Sequence, residues 1–277
     1  MLAPFLIMLR EGLEAALIVS IIAGYLYQTD QADWLSTVWI GIFLAIAASF
    51  LVGAALQFAS AEFPQKAQEL FEAIVGFVAV ALLTSMVFWM RRAARSIKGE
   101  LQHGVDAALA SGHATAFALV AMTFLAVGRE GLESVFFLLA IFQQSPGPQA
   151  PLGATLGTLV AVAAGFALYV GSVKIDLGRF FRITGVLILI VAAGLLAGSL
   201  RHLHEAGVWN GLQARAWDLT EVLPVTSPVG AVLSGIFNYH DAPTIGEVAL
   251  YVGFLALMLP AFLRSAPPPK PEPAPAE

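Results

Sequence analysis

The chain has 277 residues, of which 58% are apolar and only 12% are charged, and its formal net charge is −5. Soluble domains contain roughly 25% charged residues, so this composition excludes an ordinary soluble protein and favours a membrane protein. The chain has no cysteine, which excludes disulfides and thiolate metal sites. The modest negative charge argues against a nucleic-acid partner.

Seven apolar segments are each long enough to cross a bilayer as a helix, which takes about 20 residues. They cover residues 3–27, 35–59, 68–90, 115–142, 152–173, 183–201 and 246–264. We therefore predict an all-α, polytopic membrane protein with seven transmembrane helices in one domain, residues 1–264. The proline-rich tail, residues 265–277, is predicted to be disordered.

The loops between these segments differ in their content of lysine and arginine. One set of loops, together with the tail, holds Arg91, Arg92, Arg95, Lys98, Lys174, Arg179, Arg182, Arg264 and Lys270. The alternate set holds Lys66, Arg201 and Arg215. Because cytoplasmic loops are enriched in these residues, the N-terminus is predicted to lie outside and the C-terminus in the cytoplasm. Residues 206–245 then form an outer loop, whose apolar stretch 229–237 is too short to span.

One motif occurs twice in the chain. The sequence REGLE occupies residues 10–14 in the first helix and residues 129–133 in the fourth. Three helices separate the two starting points, so the two helices are expected to run in opposite directions. This pattern predicts an inverted repeat of three plus three helices, about residues 1–98 and 99–205, followed by a seventh helix at 246–264. In transporters built this way the substrate site lies near the midplane, where the repeats meet.

Each motif places two glutamates on one face of its helix. Glu11 and Glu14 are three residues apart, as are Glu130 and Glu133. Both pairs are expected near the middle of the bilayer, where a charged residue costs about 2.5–3.5 kcal/mol on insertion scales. Charged residues inside a membrane are rare because of this cost, so the four glutamates indicate a functional site.

Two arginines offset part of this charge, because Arg10 and Arg129 each lie one helical turn from a glutamate of the same motif. The four carboxylates still exceed the two guanidiniums by two charges. A divalent or trivalent cation would neutralise that excess. Carboxylate oxygens are hard ligands, which suit ferric iron, manganese, magnesium or calcium.

Three different roles for the motif compete with cation transport. The residues can form buried salt bridges that join the repeats, or they can relay protons without a metal. A membrane enzyme with a carboxylate metal centre is the third, although the Glu-x-x-His pattern of di-iron bundles occurs in none of the predicted spans. Gly12 and Gly131 are interpreted as close-packing points between helices. The residues by themselves therefore predict a transporter of a hard cation.

Two copies of REGLE, in the first and fourth of seven helices, resemble the oxidase-dependent iron permease family, in particular its bacterial EfeU-type members. The stretches LREGLEAALIV and VGREGLESVFFL match the family's paired motifs, and ELFEAIVGFVAVALL and RHLHEAGVW also resemble it. The resemblance covers the chain except the proline-rich tail. It implies an iron permease of the bacterial inner membrane that is not an enzyme, has no permanently bound cofactor and carries iron as its substrate.

The resemblance also implies roles for the residues of the motifs. The iron-handling residues would be Glu11, Glu14, Glu130 and Glu133, with Arg10 and Arg129 orienting them. An oxidase or iron-binding partner on the outer face would supply any redox chemistry, since none is expected in this chain. The alternative within transport is a permease or proton exchanger for another hard divalent cation.

Further candidates lie at the predicted outer ends of two helices. Glu72, on the outer turn of the third helix, is expected to be an entry ligand, or else a glutamate favoured by the positive end of the helix. His202, His204 and Glu205, at the end of the sixth helix, are candidates for collecting metal, with a solvated loop or a helix cap as the alternative. Glu247 is expected to be an N-terminal charge of the last helix.

The predicted orientation can be tested with a reporter fused after Arg264. Because the basic residues place the C-terminus in the cytoplasm, a cytoplasmic reporter at this position should be active and a periplasmic reporter inactive. A periplasmic signal from this fusion would contradict both the orientation and the number of helices.

Overall fold

A computed structural model describes five stretches of the chain, residues 1–61, 63–93, 97–144, 147–169 and 177–264. Nine α-helices account for most of these residues: α1 (Leu2–Gln28), α2 (Leu35–Ala61), α3 (Gln65–Ala93), α4 (Ile97–Leu109), α5 (Thr115–Gln144), α6 (Gln149–Tyr169), α7 (Leu177–Glu205), α8 (Pro228–Phe237) and α9 (Ile245–Arg264). The predicted disordered tail lies outside the described residues, as do Arg95 and Lys174.

The predicted apolar segments correspond to α1, α2, α3, α5, α6, α7 and α9, although the last four residues of the segment 152–173 lie outside the described part. Five of these helices, α2, α3, α6, α7 and α9, are long and apolar enough to cross a membrane. A sixth candidate consists of α4 and α5, which are bent by 115° at their junction. The all-α, polytopic fold is thus confirmed. The count of seven also requires α1, which carries the charges of the first motif, and it stays a prediction.

Small residues allow two pairs of helices to approach closely. The α6 face that packs on α1 and the α2 face that packs on α5 carry small residues at four-residue spacing: Gly153, Gly157, Ala161 and Gly165 on α6, and Gly41, Ala45, Ser49 and Gly53 on α2. Residue numbers rise together along both helices of each pair, so α1 is parallel to α6 and α2 is parallel to α5. Such small-residue faces are how membrane helices gain packing energy without a hydrophobic driving force.

The predicted inverted repeat relates α1 to α5, α2 to α6 and α3 to α7. Under this exchange, the pair α1–α6 corresponds to the pair α5–α2. A Cβ at Gly12 of α1 would meet Ala161 of α6, and a Cβ at Gly131 of α5 would meet Ser49 of α2. The remaining pair, α3 and α7, is antiparallel, since Glu72 near the start of α3 lies beside His202 at the end of α7, and the same exchange maps this pair onto itself. This arrangement agrees with the predicted inverted repeat, whose boundaries near residues 98 and 205 stay predictions. Helix α9 packs on α7.

Helix α4 was not predicted, because its 13 residues are too few to span and too polar to form an apolar run. It packs against α1 and α5. Val105 is fully buried in a cluster with Ile22 and Leu26 of α1. The hydroxyl of Tyr25 donates a hydrogen bond to Asp106 Oδ1 at 2.7 Å, which joins α4 to the last turns of α1.

The apolar stretch 229–237 of the outer loop forms α8, a helix of 10 residues. Ser227 caps it, because its hydroxyl accepts a hydrogen bond from Gly230 N at 3.0 Å. The helix ends at Asn238 in the left-handed conformation, and the Asn238 side chain donates to the Gly194 carbonyl at 2.8 Å. These contacts attach the loop between α7 and α9 to the side of α7.

The close packing of α2 on α5 predicts different effects of alanine at two helical glycines. A Cβ at Gly41 would lie 2.8 Å from the carbonyl oxygen of Val120 and 2.9 Å from Thr123 Cβ, whereas a Cβ at Gly24 has no atom within 4 Å. Gly41→Ala should therefore destabilise the protein by about 1–3 kcal/mol. Gly24→Ala should leave stability unchanged or raise it. The thermal unfolding midpoint of the two variants in detergent measures the difference, and equal midpoints would contradict this packing.

Candidate metal site

Glutamates from both REGLE motifs meet between α1 and α5. Glu11, Glu14 and Glu130 each offer a carboxylate oxygen, and these three oxygens lie within 4.8 Å of one another. The three residues are 1%, 6% and 7% exposed. Helical spacing explains the arrangement, since residues three apart share a face and the two faces are opposed. Glu133 is outside this group but close enough to interact electrostatically with its members.

The two arginines of the motifs have different environments. Arg10 is 2% exposed, and its Nε lies 2.9 Å from Glu14 Oε1. Arg129 makes the equivalent ion pair with Glu133 at 3.0 Å, but half of its side chain is exposed and its guanidinium lies 4.6 Å from the centre of the Trp89 ring. The first motif therefore forms a buried ion pair, whereas the second forms one at the edge of the site.

Several buried oxygens of the site accept no hydrogen bond from the residues that the structure describes. These are both carboxylate oxygens of Glu11, Oε1 of Glu14 and Oε2 of Glu130, and Nη1 of Arg10 is a buried donor that likewise has no hydrogen-bond partner among the described residues. Buried polar atoms are nearly always satisfied in proteins, so each exception requires a physical cause. Carboxylate oxygens without a donor are suited to a hard cation, which needs lone pairs directed at one point.

Apolar side chains lie on both sides of the carboxylates. Towards the start of α1, Ile7 and Phe137 are fully buried in one cluster. Towards the end of α1, Ile22 and Val127 belong to a second cluster, which includes residues of α4. The clusters join the start of α1 to the end of α5 and the end of α1 to the start of α5, so the two motif helices are antiparallel, as predicted. The carboxylates are enclosed between the two clusters.

Glu72 lies in a separate group at the junction of α3 and α7. His202 Nδ1 is 2.7 Å from Glu69 Oε2, 3.3 Å from Glu72 Oε2 and 3.9 Å from Glu205 Oε2. Glu69 was not predicted from the sequence, although its position three residues before Glu72 places both on one helix face. Among the described residues, two sets have ligand atoms close enough together for a metal ion, namely the central glutamates and the set of Glu69, His202 and Glu205.

The remaining candidates lie away from these two groups. His204 stacks on Trp209 with ring centroids 5.4 Å apart, and its Nε2 is 3.1 Å from the Gly211 carbonyl oxygen. Glu247 is in the first turn of α9, as expected, but it is also buried and pairs with Arg201 of α7 at 2.5 Å. His204 therefore has a structural role in the loop that follows α7, and Glu247 joins two helices.

The fold defines a class of protein, the polytopic helical membrane proteins, and the described part of this one encloses a group of carboxylates. Residues 1–263 match the iron permease FTR1 family, and the chain belongs to that family. The similarity extends over almost the whole chain, including both motifs.

Curated relatives support the same assignment. The chain is 52% identical over 270 residues to the ferrous iron permease EfeU of Yersinia pestis, which covers 98% of this chain and 95% of the relative. It is also 52% identical over 270 residues to the proteins of the same name from Shigella sonnei and Escherichia coli O157:H7, over 97% of each relative. These relatives are permeases, which confirms the prediction of a transporter and not an enzyme. No solved structure matches the chain.

The unequal burial of the two arginines predicts unequal effects on stability. Arg10→Met leaves Glu14 without its partner in a buried site, and breaking a buried ion pair costs about 3–5 kcal/mol. Arg129→Met removes a pair whose guanidinium is half exposed and lies beside the Trp89 ring, so it leaves Glu133 in a less enclosed position and should cost less. The thermal unfolding midpoint of the purified variants, measured at neutral pH, should fall much further for Arg10→Met. Similar shifts for both variants would show that the motifs are equivalent in solution.

Proposed function

We propose that this permease moves ferrous iron across the bacterial inner membrane, and that Glu11, Glu14, Glu130 and Glu133 form its path through the membrane. The observation that carries the proposal is the group of three buried carboxylates, contributed by both motifs, with oxygens within 4.8 Å of one another. The relatives named ferrous iron permeases support iron as the substrate.

The charge of the group favours a cation. Of the arginines in the two motifs, Arg10 alone is buried beside the three carboxylates, so the enclosed group has an excess of negative charge when the carboxylates are ionised. Burying unpaired charge is costly, and a divalent cation offsets that cost while supplying the contacts that the oxygens of Glu11 lack. If the motifs served only as structural salt bridges, each carboxylate would pair with a basic side chain. Glu11 and Glu130 have no such ion-pair partner among the described residues.

The arginines support the path by holding carboxylates in place. A guanidinium has donors and no lone pair, so it cannot bind the ion itself. Arg10 orients Glu14 within the group, and Arg129 orients Glu133 at its edge. Glu133 is then the member of the path that is nearest to a partly exposed surface, consistent with a role in passing the ion onward.

With the predicted orientation, the start of α1 and the end of α7 lie on the periplasmic side. Iron then enters from the junction of α3 and α7, where Glu72 lies, and leaves towards the side covered by α4. The family resemblance supports an oxidase or iron-binding partner on the periplasmic side. This chain supplies the path, with iron as substrate and no bound cofactor.

The path can be tested by iron uptake into proteoliposomes. Glu14→Gln and Glu130→Gln keep the side-chain volume but remove a ligand charge, so each should reduce Fe²⁺ uptake by at least tenfold. Shortening by one methylene, as in Glu14→Asp, should also impair uptake, because it withdraws the oxygen from a site with defined distances. The matched control is Glu100→Gln on the exposed face of α4, which should transport normally.

Competition by Mn²⁺ and Zn²⁺ and a pH indicator inside the vesicles distinguish the alternatives. Selective uptake of Fe²⁺ supports the iron path, whereas preferred uptake of another divalent ion would assign a different substrate. Proton movement without metal would identify a proton carrier. Wild-type iron uptake by Glu14→Gln, at equal amounts of protein, would overturn the proposed path.

A further inference from the structure

We propose that Glu69, Glu72, His202 and Glu205 form a second metal site, which captures a divalent transition-metal ion such as Fe²⁺ before it reaches the central carboxylates. The role in transport rests on the proposed function, whereas the binding of metal at this site does not. The inference concerns a site with a nitrogen ligand, in contrast to the oxygen ligands of the central group.

The geometry of two antiparallel helices brings these ligands together. Glu69 and Glu72 are three residues apart on α3, and His202 and Glu205 are three residues apart on α7, so each pair shares a helix face. His202 is at the centre, with its Nδ1 between 2.7 and 3.9 Å from an oxygen of each glutamate. The ligand atoms of Glu69, His202 and Glu205 all lie within 4.8 Å of one another.

An ion-pair cluster by itself accounts poorly for this group. The group holds three glutamates, and His202 is the basic side chain that contacts them. Gln68 donates a hydrogen bond to Glu72 at 3.0 Å, but it carries no charge. The neighbouring Arg201 is already paired with the buried Glu247. A divalent cation held by these ligands would reduce the excess of negative charge in the group.

The site opens onto a polar cavity of about 470 Å³. His202 and Glu205 line this cavity, together with Gln143, Gln144, Arg201, Tyr239, His240 and Asp241. Burial lowers the pKa of His240, which favours its neutral form and avoids an added positive charge in the cavity. The cavity is large enough for a hydrated ion, and its residues come from α5, α7, α8 and the segments on either side of α8.

The cavity leads towards the helix that carries the central glutamates. Gln143 and Gln144 end α5, and each has a buried side-chain oxygen that accepts no hydrogen bond from the described residues. From Gln144, α5 continues to Glu133 and Glu130, roughly 16–21 Å away at 1.5 Å per residue. An ion released from His202 would therefore meet amide oxygens before it reaches the apolar cluster around Ile7 and Phe137.

The nitrogen ligand gives the site a chemical selectivity that the central group lacks. Imidazole suits Fe²⁺, Zn²⁺ and other transition metals, whereas Mg²⁺ and Ca²⁺ take oxygen ligands. A site that combines one imidazole with carboxylates therefore disfavours Mg²⁺ and Ca²⁺. Placed before an all-oxygen path, it would select the ion that enters.

The test of binding uses the full-length protein, purified in detergent without a histidine tag. Mn²⁺ is added as a paramagnetic probe, and pulsed EPR detects coupling to the nitrogen of a coordinated imidazole. We expect this coupling in the wild type and its loss in His202→Gln. The matched control is His204→Gln, because His204 stacks on Trp209 away from the site, and it should keep the coupling.

Two further variants make the result decisive. Glu69→Gln should weaken Co²⁺ binding at this site by at least tenfold in calorimetric titrations, in the presence of excess Mg²⁺. Glu14→Gln should keep the nitrogen coupling, so a failure of the central path is distinguishable from a failure of this site. Mn²⁺ bound to the wild type without nitrogen coupling, or coupling that persists in His202→Gln, would overturn the proposal.

Transport kinetics test the role of the site in capture. Glu69→Gln should raise the KM for Fe²⁺ by about tenfold, matching its weaker binding, while the maximal rate stays near that of the wild type. Glu14→Gln should instead reduce the maximal rate. An unchanged KM in Glu69→Gln, with metal binding lost, would show that the site does not capture ions for transport.

Discussion

Burial of more negative than positive charge is the constraint on which the rest of this structure depends. Glu11, Glu14 and Glu130 are enclosed with one guanidinium, that of Arg10, in the middle of an apolar bundle. A carboxylate in such a place is stable only if it is protonated, paired or bound to a cation. The surrounding protein must therefore keep lipid and bulk water away while it holds the oxygens at a fixed separation.

The small-residue faces provide that enclosure. Glycines on α2 and α6 let the backbones of α5 and α1 approach so closely that an added Cβ would meet main-chain or Cβ atoms of the partner helix. Since each motif helix is held along its length by such a face, its glutamates have little freedom to move away from one another. The same faces lie opposite the motif glycines, Gly12 and Gly131, which explains why the motifs contain glycine between their glutamates.

The sequence contains enough information for the spanning helices and the motifs, because apolar length and buried charge are strong signals. It does not show that Arg10 is buried and Arg129 half exposed, since the two motifs are identical and their surroundings differ in the third dimension. Helix α4 and Glu69 were also missed. Helix α4 is too short and polar to form an apolar run. Glu69 becomes a candidate ligand only through its contact with His202, which belongs to another helix. The pair of Arg201 and Glu247 depends in the same way on the packing of α7 against α9.

The parallel pairing of helices has a mechanical consequence. Glu11 and Glu14 belong to the pair α1–α6, whereas Glu130 belongs to the pair α2–α5. A rotation of one pair against the other changes the distance between their carboxylates and leaves the contacts within each pair intact. An ion held as proposed, by carboxylates of both pairs, would lose ligands as they separate, so its affinity would fall as the bundle opens. In the proposed path, the number of ligands on the ion and access to the site would thus be coupled through one rigid-body displacement, and a bound ion would favour the closed arrangement.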